Sequence, residues 1–342
     1  MNCVMALDAE GRSALKAKYP HAKLDTIQVS VAAPWSHTVS KVISYDKDTP
    51  FAITKEIIDE LTEKANAELS ASMKSNDYTD TALSVIARAT TAITANGYQT
   101  MTPLGRTATM VSLTQVTALA DTLITTAVSD LHTRVFSRIP LERYSAVLMF
   151  HCLVRELYPS VTEFCLVDLT YEATELAIVR DTVLQYTTHA PIGVNTLVRN
   201  IALRLDIPES DAGSLLKQAF EPGTKETLPE KTKKVVDAVM SEYQNTLAEL
   251  FLETGDSLAI PRVIFLHSNY YQEDFFDDYI IAAAKIATQS GHTVHTLSHD
   301  LLLKRYSDVD RAAMLDSQID TAGLMSAQFF HKQHHCNDFE QV

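Results

Sequence analysis

The chain has 342 residues, 46% of them hydrophobic, which is enough for two globular domains or one large one. Lys and Arg number 29 against 43 Asp and Glu, a net charge of −14. That balance repels polyphosphate backbones and anionic bilayers, and no basic cluster offsets it, so a nucleic-acid-binding module is not expected. Cys3, Cys152, Cys165 and Cys336 lie far apart without a Cys-x-x-Cys spacing, which fits a reduced, cytoplasmic protein rather than a zinc or disulfide framework. Met1 to Glu10 is too short and acidic for a signal peptide, and no apolar run approaches the ~20 residues of a spanning helix.

In chain order, Ala6 to Tyr19 reads as a polar helix leading into Pro20. Thr26 to Ala32 alternates, with Ile27, Val29 and Val31 apolar, as a half-buried strand does, and Thr38 to Tyr45 alternates again. Thr54 is placed to cap a helix carrying Ile57, Ile58, Leu61 and Ala65 on one face. Leu83 to Ile93 and Thr107 to Val116 are two further strands, separated by turns at Asn96-Gly97 and Pro103-Leu104-Gly105. Leu119 to Phe136 and Tyr144 to Leu157 read as helices. Phe164 to Ala202 then gives strand, tight turn, strand, polar turn at Arg180-Asp181-Thr182, strand and helix, with Pro191 and Gly193 opening the helix. Further helices are expected from Pro208, over Val235 to Leu252 and over Phe275 to Thr288. Strands are expected at Arg262 to Leu266 and Thr293 to Leu297. The second half therefore alternates as α/β chains do.

The segment from Phe164 resembles the second phosphate segment of actin-like ATPases, most closely the bacterial FtsA and PilM branch. In that family a strand ends in Asp-Ile-Gly-Gly-Gly-Thr-Thr-Asp, and a later Pro-Ile-Gly-Gly opens a helix. Laid over this chain, Asp168, Thr174 and Glu175 fall on the first Asp, the second Thr and the last Asp, and Pro191, Ile192 and Gly193 fall on the later motif. Ala212 and Lys217 match an Ala and a Lys of the family's second helix. The strand–helix–strand pattern before it is similar to the family's inserted SHS2 module, through Ala32-Ala33-Pro34-Trp35, Pro50 to Thr54, Asn96-Gly97-Tyr98 and Pro103-Leu104-Gly105.

The resemblance implies an α/β chain of actin-like (ribonuclease H-like) fold, incomplete at its N-terminus, with an SHS2-type α+β subdomain. Residues 1–116 would form that subdomain with a short lead-in. Residues 117–342 would form the actin-like domain, with a helical subdomain around 206–256. It also implies a bacterial protein of the cytoplasm or the inner face of the membrane. Its partners would come from cell division or type IV pilus assembly, with self-association possible. The tail from Asp320 has an apolar face at Leu324, Met325 and Phe329 but only Lys332 as a cation, so membrane contact would be indirect.

The departures from the family bear on nucleotide. The three glycine positions of the hairpin read Thr170, Tyr171 and Glu172, which bring bulk and a carboxylate to a turn where bare backbone would cradle an anion. The family's Gly-Gly turn for adenosine reads His267-Ser268-Asn269-Tyr270, and its leading Asp-x-Gly segment has no counterpart. Asp168, Thr170, Thr174, Glu175, Gly193, Ser268 and Asn269 are the residues a degenerate nucleotide site would use. The expectation is no cofactor and no ATP hydrolysis; the rival is an ATPase that still binds Mg-ATP and polymerises. By the resemblance Asp168 would hold a metal through water; the favoured reading of the residue itself is a strand-end carboxylate capping a turn.

Trp35, the single tryptophan, and Phe51 are candidate partner contacts, Trp35 reading equally as an aromatic capping the core. His331, His334, His335 and Cys336 have a metal-like spacing but sit in a tail, where histidines ordinarily face solvent. His292, His295 and His299 flank a strand in positions that do not converge. No metal site is expected.

Overall fold

The computed structural model describes residues 2–74, 82–221, 223–254, 260–268, 275–303, 321–333 and 339–341. The chain separates into two compact units: residues 1–31, 35–148 and 332–342 form the first, and residues 32–34 and 149–331 the second.

The first unit is built on an antiparallel sheet. Strand β2 (Ser36–Ala52) pairs with β5 (Thr107–Asp121), which pairs with β3 (Leu83–Ala95). The short β4 (Tyr98–Gln99) and β12 (Phe339–Gln341) add to the outer edge of β3. Alternation along these strands sends Ile43, Val111 and Leu113 to one face, where Leu61 and Ala65 of helix α2 (Lys55–Lys74) cover them. On the other face Ser44 and Ser112 hydrogen-bond across the pair at 2.8 Å. Two helices, α1 (Asn2–Lys18) and α3 (Thr122–Val135), pack on each other and bury no residue fully.

Three elements differ from the sequence reading. Strand β1 (Ile27–Val31) does not join the α2-covered sheet but pairs in parallel with β6 (Leu141–Ser145). The sequence placed Tyr144 in a helix; it belongs to β6, and helix α4 spans Ala146–Leu157. Leu119 and Ala120, read as the start of a helix, are the buried end of β5, and the helix begins only after Asp121, whose carboxylate accepts from Leu123 N at 2.7 Å.

The second unit carries a five-stranded mixed sheet in the order β11-β10-β7-β8-β9. Here β7 is Phe164–Leu169, β8 Thr174–Arg180, β9 Val183–Ala190, β10 Val263–Ser268 and β11 Thr293–Thr296. The hairpin β7-β8-β9 is antiparallel, whereas β10 is parallel to both β7 and β11. The two-residue turn between β8 and β9 places Asp181 and Thr182 at positive φ, as tight hairpins require.

Helices α5 (Val194–Leu205), α6 (Glu209–Phe220), α7 (Glu230–Leu252) and α8 (Asp277–Thr288) surround one core on this sheet. Cys165, Val167, Leu169, Ile178 and Leu266 meet Leu197, Ile201, Val236, Tyr243 and Ile280 there. The period of two therefore sends Phe164, Asp168, Glu175 and His267 to the opposite face, where Phe150 of α4 meets the His267 ring at 6.0 Å. Also on α4, His151 is buried with Nε2 3.0 Å from the Thr182 carbonyl; burial, then Arg155, push its pKa down to about 3, so it is neutral. Leu197 is fully buried at the centre of this core, so Leu197→Ala should lower unfolding free energy by about 2–5 kcal/mol in a denaturant titration. An unchanged midpoint would contradict the packing described.

Candidate functional site

The residues singled out in the second unit gather at one end of its sheet. The β7-β8 connection, Thr170 to Ala173, folds back on itself: Thr170 N donates to the Ala173 carbonyl at 2.9 Å, and the Thr170 hydroxyl donates to the same oxygen at 3.0 Å. The turn then docks on the N-terminus of α5. Val194 N donates to the Thr170 carbonyl at 3.1 Å and Asn195 N to the Tyr171 carbonyl at 2.8 Å. Helix N-termini leave their first amides without intrahelical partners, and here two of them are taken by the turn's own oxygens.

Gly193 is the hinge of this contact. A Cβ there would stand 2.5 Å from the Tyr171 carbonyl carbon and oxygen and 2.6 Å from Ala173 N, all backbone atoms that cannot yield by rotamer. The glycine is required by close approach, since its φ of −129° is open to any residue. Thr174, the next matched position, points to the helical side: its hydroxyl donates to the Ile192 carbonyl at 2.7 Å and lies 3.3 Å from the Tyr243 hydroxyl.

The side chains that replace glycines are accommodated in different ways. Tyr171 is 47% exposed, whereas Glu172 turns back along α5. There its carboxylate accepts from Asn195 Nδ2 at 2.7 Å and from Arg199 Nη2 at 3.0 Å. Arg199 foremost, then Asn195, hold the Glu172 carboxyl below its ordinary range.

On the other face, Asp168 and Glu175 are opposite each other in the β7-β8 register and both buried. Asp168 Oδ1 is 2.8 Å from His267 Nδ1, with the two side chains 3% and 2% exposed. The His267 Nε2 is 2.9 Å from the hydroxyl of Thr321, at the start of helix α10 (Thr321–Gln333). A carboxylate can only accept, so an Nδ1–H of His267 points at Asp168. Glu175 has no ionic partner among the described residues, and its Oε2 is buried without a hydrogen bond. Burial first, then the charge of Asp168, push its pKa well up, against the smaller opposing effect of the Ala33 backbone N–H. Both effects favour the protonated, neutral form of Glu175.

Of the remaining predicted positions, Ser268 is buried at the end of β10, its carbonyl 3.5 Å from the Thr321 hydroxyl, and Asn269 lies outside the described residues. In the first unit Trp35 is 43% exposed, with its carbonyl accepting from Asp121 N at 2.9 Å. Phe51 is half-buried and packs edge-on against Tyr45 at 5.1 Å. His334, His335 and Cys336 are outside the described residues, as is the side chain of His331. His295 packs against the Phe265 ring at 5.6 Å, and among the described residues no cluster of His, Cys, Asp and Glu is arranged to hold a metal ion. The sequence reading missed His267, Thr321, Asn195 and Arg199 as partners. His267 was legible as a polar residue prolonging an apolar strand; the other three pairings depend on tertiary placement.

Among solved structures, the chain superposes on a chain of the PilM–PilN type IV pilus biogenesis complex over 95% of its own length and 84% of the other, at 14% identity and a TM-score of 0.54. The fold is actin-like. It is similar to the fold of PilM, as the strand-end motif and the Pro191-Ile192-Gly193 helix start implied. The archaeal actin homologue Ta0583 matches over 58% of this chain and 57% of its own, at 9% identity and a TM-score of 0.39. EutJ of Carboxydothermus hydrogenoformans matches over 48% and 55%, at 15% and 0.33; neither supports more than a partial match. No protein-family model and no curated protein matches the sequence.

Two outcomes follow for this actin-like site. Gly193→Ala must displace the turn from α5 and should cost roughly 1–3 kcal/mol or more of stability by denaturant titration; a neutral substitution would refute the close contact. For Glu175 the folded-state pKa is raised, so stability is highest below the unfolded value of about 4.5 and falls as pH rises above it. Glu175→Gln should therefore remove that decline, leaving the variant at least as stable as the parent at pH 7 and relatively less so near pH 4. A parent whose stability rises through this window relative to the variant would show Glu175 to be charged.

Proposed function

We propose that the chain is a degenerate actin-like scaffold that binds partner proteins in type IV pilus assembly or bacterial cell division without hydrolysing ATP. The observation that carries this reading is the closure of the β7-β8 turn on α5. Amides that could face an anion donate instead to Thr170 and Tyr171 carbonyls, and Glu172 brings a negative charge to the same place. Asp168, the carboxylate matching the family's metal-holding position, is engaged by His267, and Glu175 is too deeply buried to ionise and orient a water. These residues do not fit Mg-ATP, and no hydrolytic step is assigned to them.

The partner side of the reading is supported by the superposition on a chain of the two-protein PilM–PilN pilus biogenesis complex. In this proposal the β2-β5-β3 sheet with α2 is the SHS2-type module, and Trp35 and Phe51 belong to its docking surface. The location follows as bacterial cytoplasm, at the inner face of the membrane through partners; among the described residues no helix is long and apolar enough to cross a membrane. Self-association of the chain belongs to the same proposal.

Mg-ATP should leave the melting temperature of the full chain unchanged. A ligand at 100 times its dissociation constant adds roughly 2.7 kcal/mol, so a clear upward shift would establish the ATPase reading in its place. For the docking surface, Trp35→Ala should weaken capture of the partner's pilus or division complex from the native cell while leaving the melting temperature alone; undiminished capture would remove Trp35 from the surface.

A further inference from the structure

We infer that the first two turns of α5 carry a side-chain oxyanion site, which the chain keeps filled with its own Glu172 carboxylate. This rests on the scaffold reading only in that the turn is taken as closed. Asn195 and Arg199 are four residues apart and so share one helix face. Asn195 Nδ2 donates to Glu172 Oε1 at 2.7 Å, while Arg199 Nη2 and Nη1 reach Oε2 and Oε1 at 3.0 and 3.5 Å. Arg199 Nη2 is also 3.2 Å from the Thr196 hydroxyl, which fixes the fork in place.

The ligand chemistry follows from these donors. A guanidinium fork beside an amide donor suits a planar carboxylate, and it suits two oxygens of a phosphoryl group equally well. The backbone amides of Val194 and Asn195 are taken by the turn's carbonyls, so recognition rests on the side chains. Glu172 is covalently held within reach, and a tethered ligand competes at an effective concentration that a free anion of modest affinity cannot match. The site is thus occupied in cis ahead of free anions present below that effective concentration. Its carboxylate is 31% exposed and the Arg199 side chain 46%, so an external oxyanion has access once Glu172 is removed.

The test uses the full chain with inorganic phosphate as probe, melted in phosphate and in chloride at matched ionic strength. Phosphate raises melting temperatures generally by exclusion from protein surfaces, so the parent's difference between the two salts is the baseline. Glu172→Ala should melt lower in chloride and be raised by phosphate beyond that baseline, with phosphorus NMR line broadening in the variant alone; the double variant E172A/R199A should return to the baseline and lose the broadening. A Glu172→Ala chain with only the baseline rise, or a double variant that exceeds it, overturns the inference. Should Glu172→Ala fail to fold, Glu172→Gln keeps the acceptor for Asn195 and loses the charge; it should show a smaller rise beyond the baseline, and no such rise overturns the inference equally. Mg-ATP stabilisation of the parent chain would count against the scaffold reading, whereas failure of the variants counts only against this site.

Discussion

The second unit depends on one contact, the seating of the Thr170–Ala173 turn on the first amides of α5. A helix start must place its unpaired N–H groups somewhere, and a tight turn must place its outward carbonyls; each satisfies the other here. Gly193 lets the two backbones approach, and the Glu172–Arg199 pair holds the approach from the solvent side. In the scaffold reading proposed above, the contact that satisfies the backbone also occupies two α5 amides that could otherwise face an anion.

The buried face of the hairpin carries a second arrangement. Asp168 and Glu175 stand opposite each other in the register, both buried, and the charge of Asp168 disfavours ionisation of Glu175. His267 partners Asp168, and Glu175 keeps its proton. Thr321 completes the chain of hydrogen bonds and anchors the start of α10 to the end of β10. A polar network of this kind, with its partners supplied from within, fixes the sheet end in one arrangement.

Much of this was legible in the sequence, for physical reasons that differ by element. The hairpin and α5 followed from apolar runs broken by Arg180-Asp181-Thr182 and from Pro191 and Gly193, which are local signals. Leu119 and Ala120 were read into the following helix because apolar residues at a buried strand end fit a helical period as well as any other. Strand β6 and the parallel β1 pairing were invisible for another reason: this pair joins segments more than a hundred residues apart, Ile27 with Leu141. The meaning of Glu172 was half legible. The sequence showed a carboxylate where a glycine would serve an anion, but the seat it takes on Asn195 and Arg199 depends on how the turn docks.

The most direct test of the central claim is a crystal structure of the full chain grown with magnesium and a non-hydrolysable triphosphate analogue. The account predicts Glu172 on Arg199, Asp168 on His267 and no triphosphate at the turn. A triphosphate seated against Thr170 and Tyr171, with the α5 amides turned to it, would contradict it.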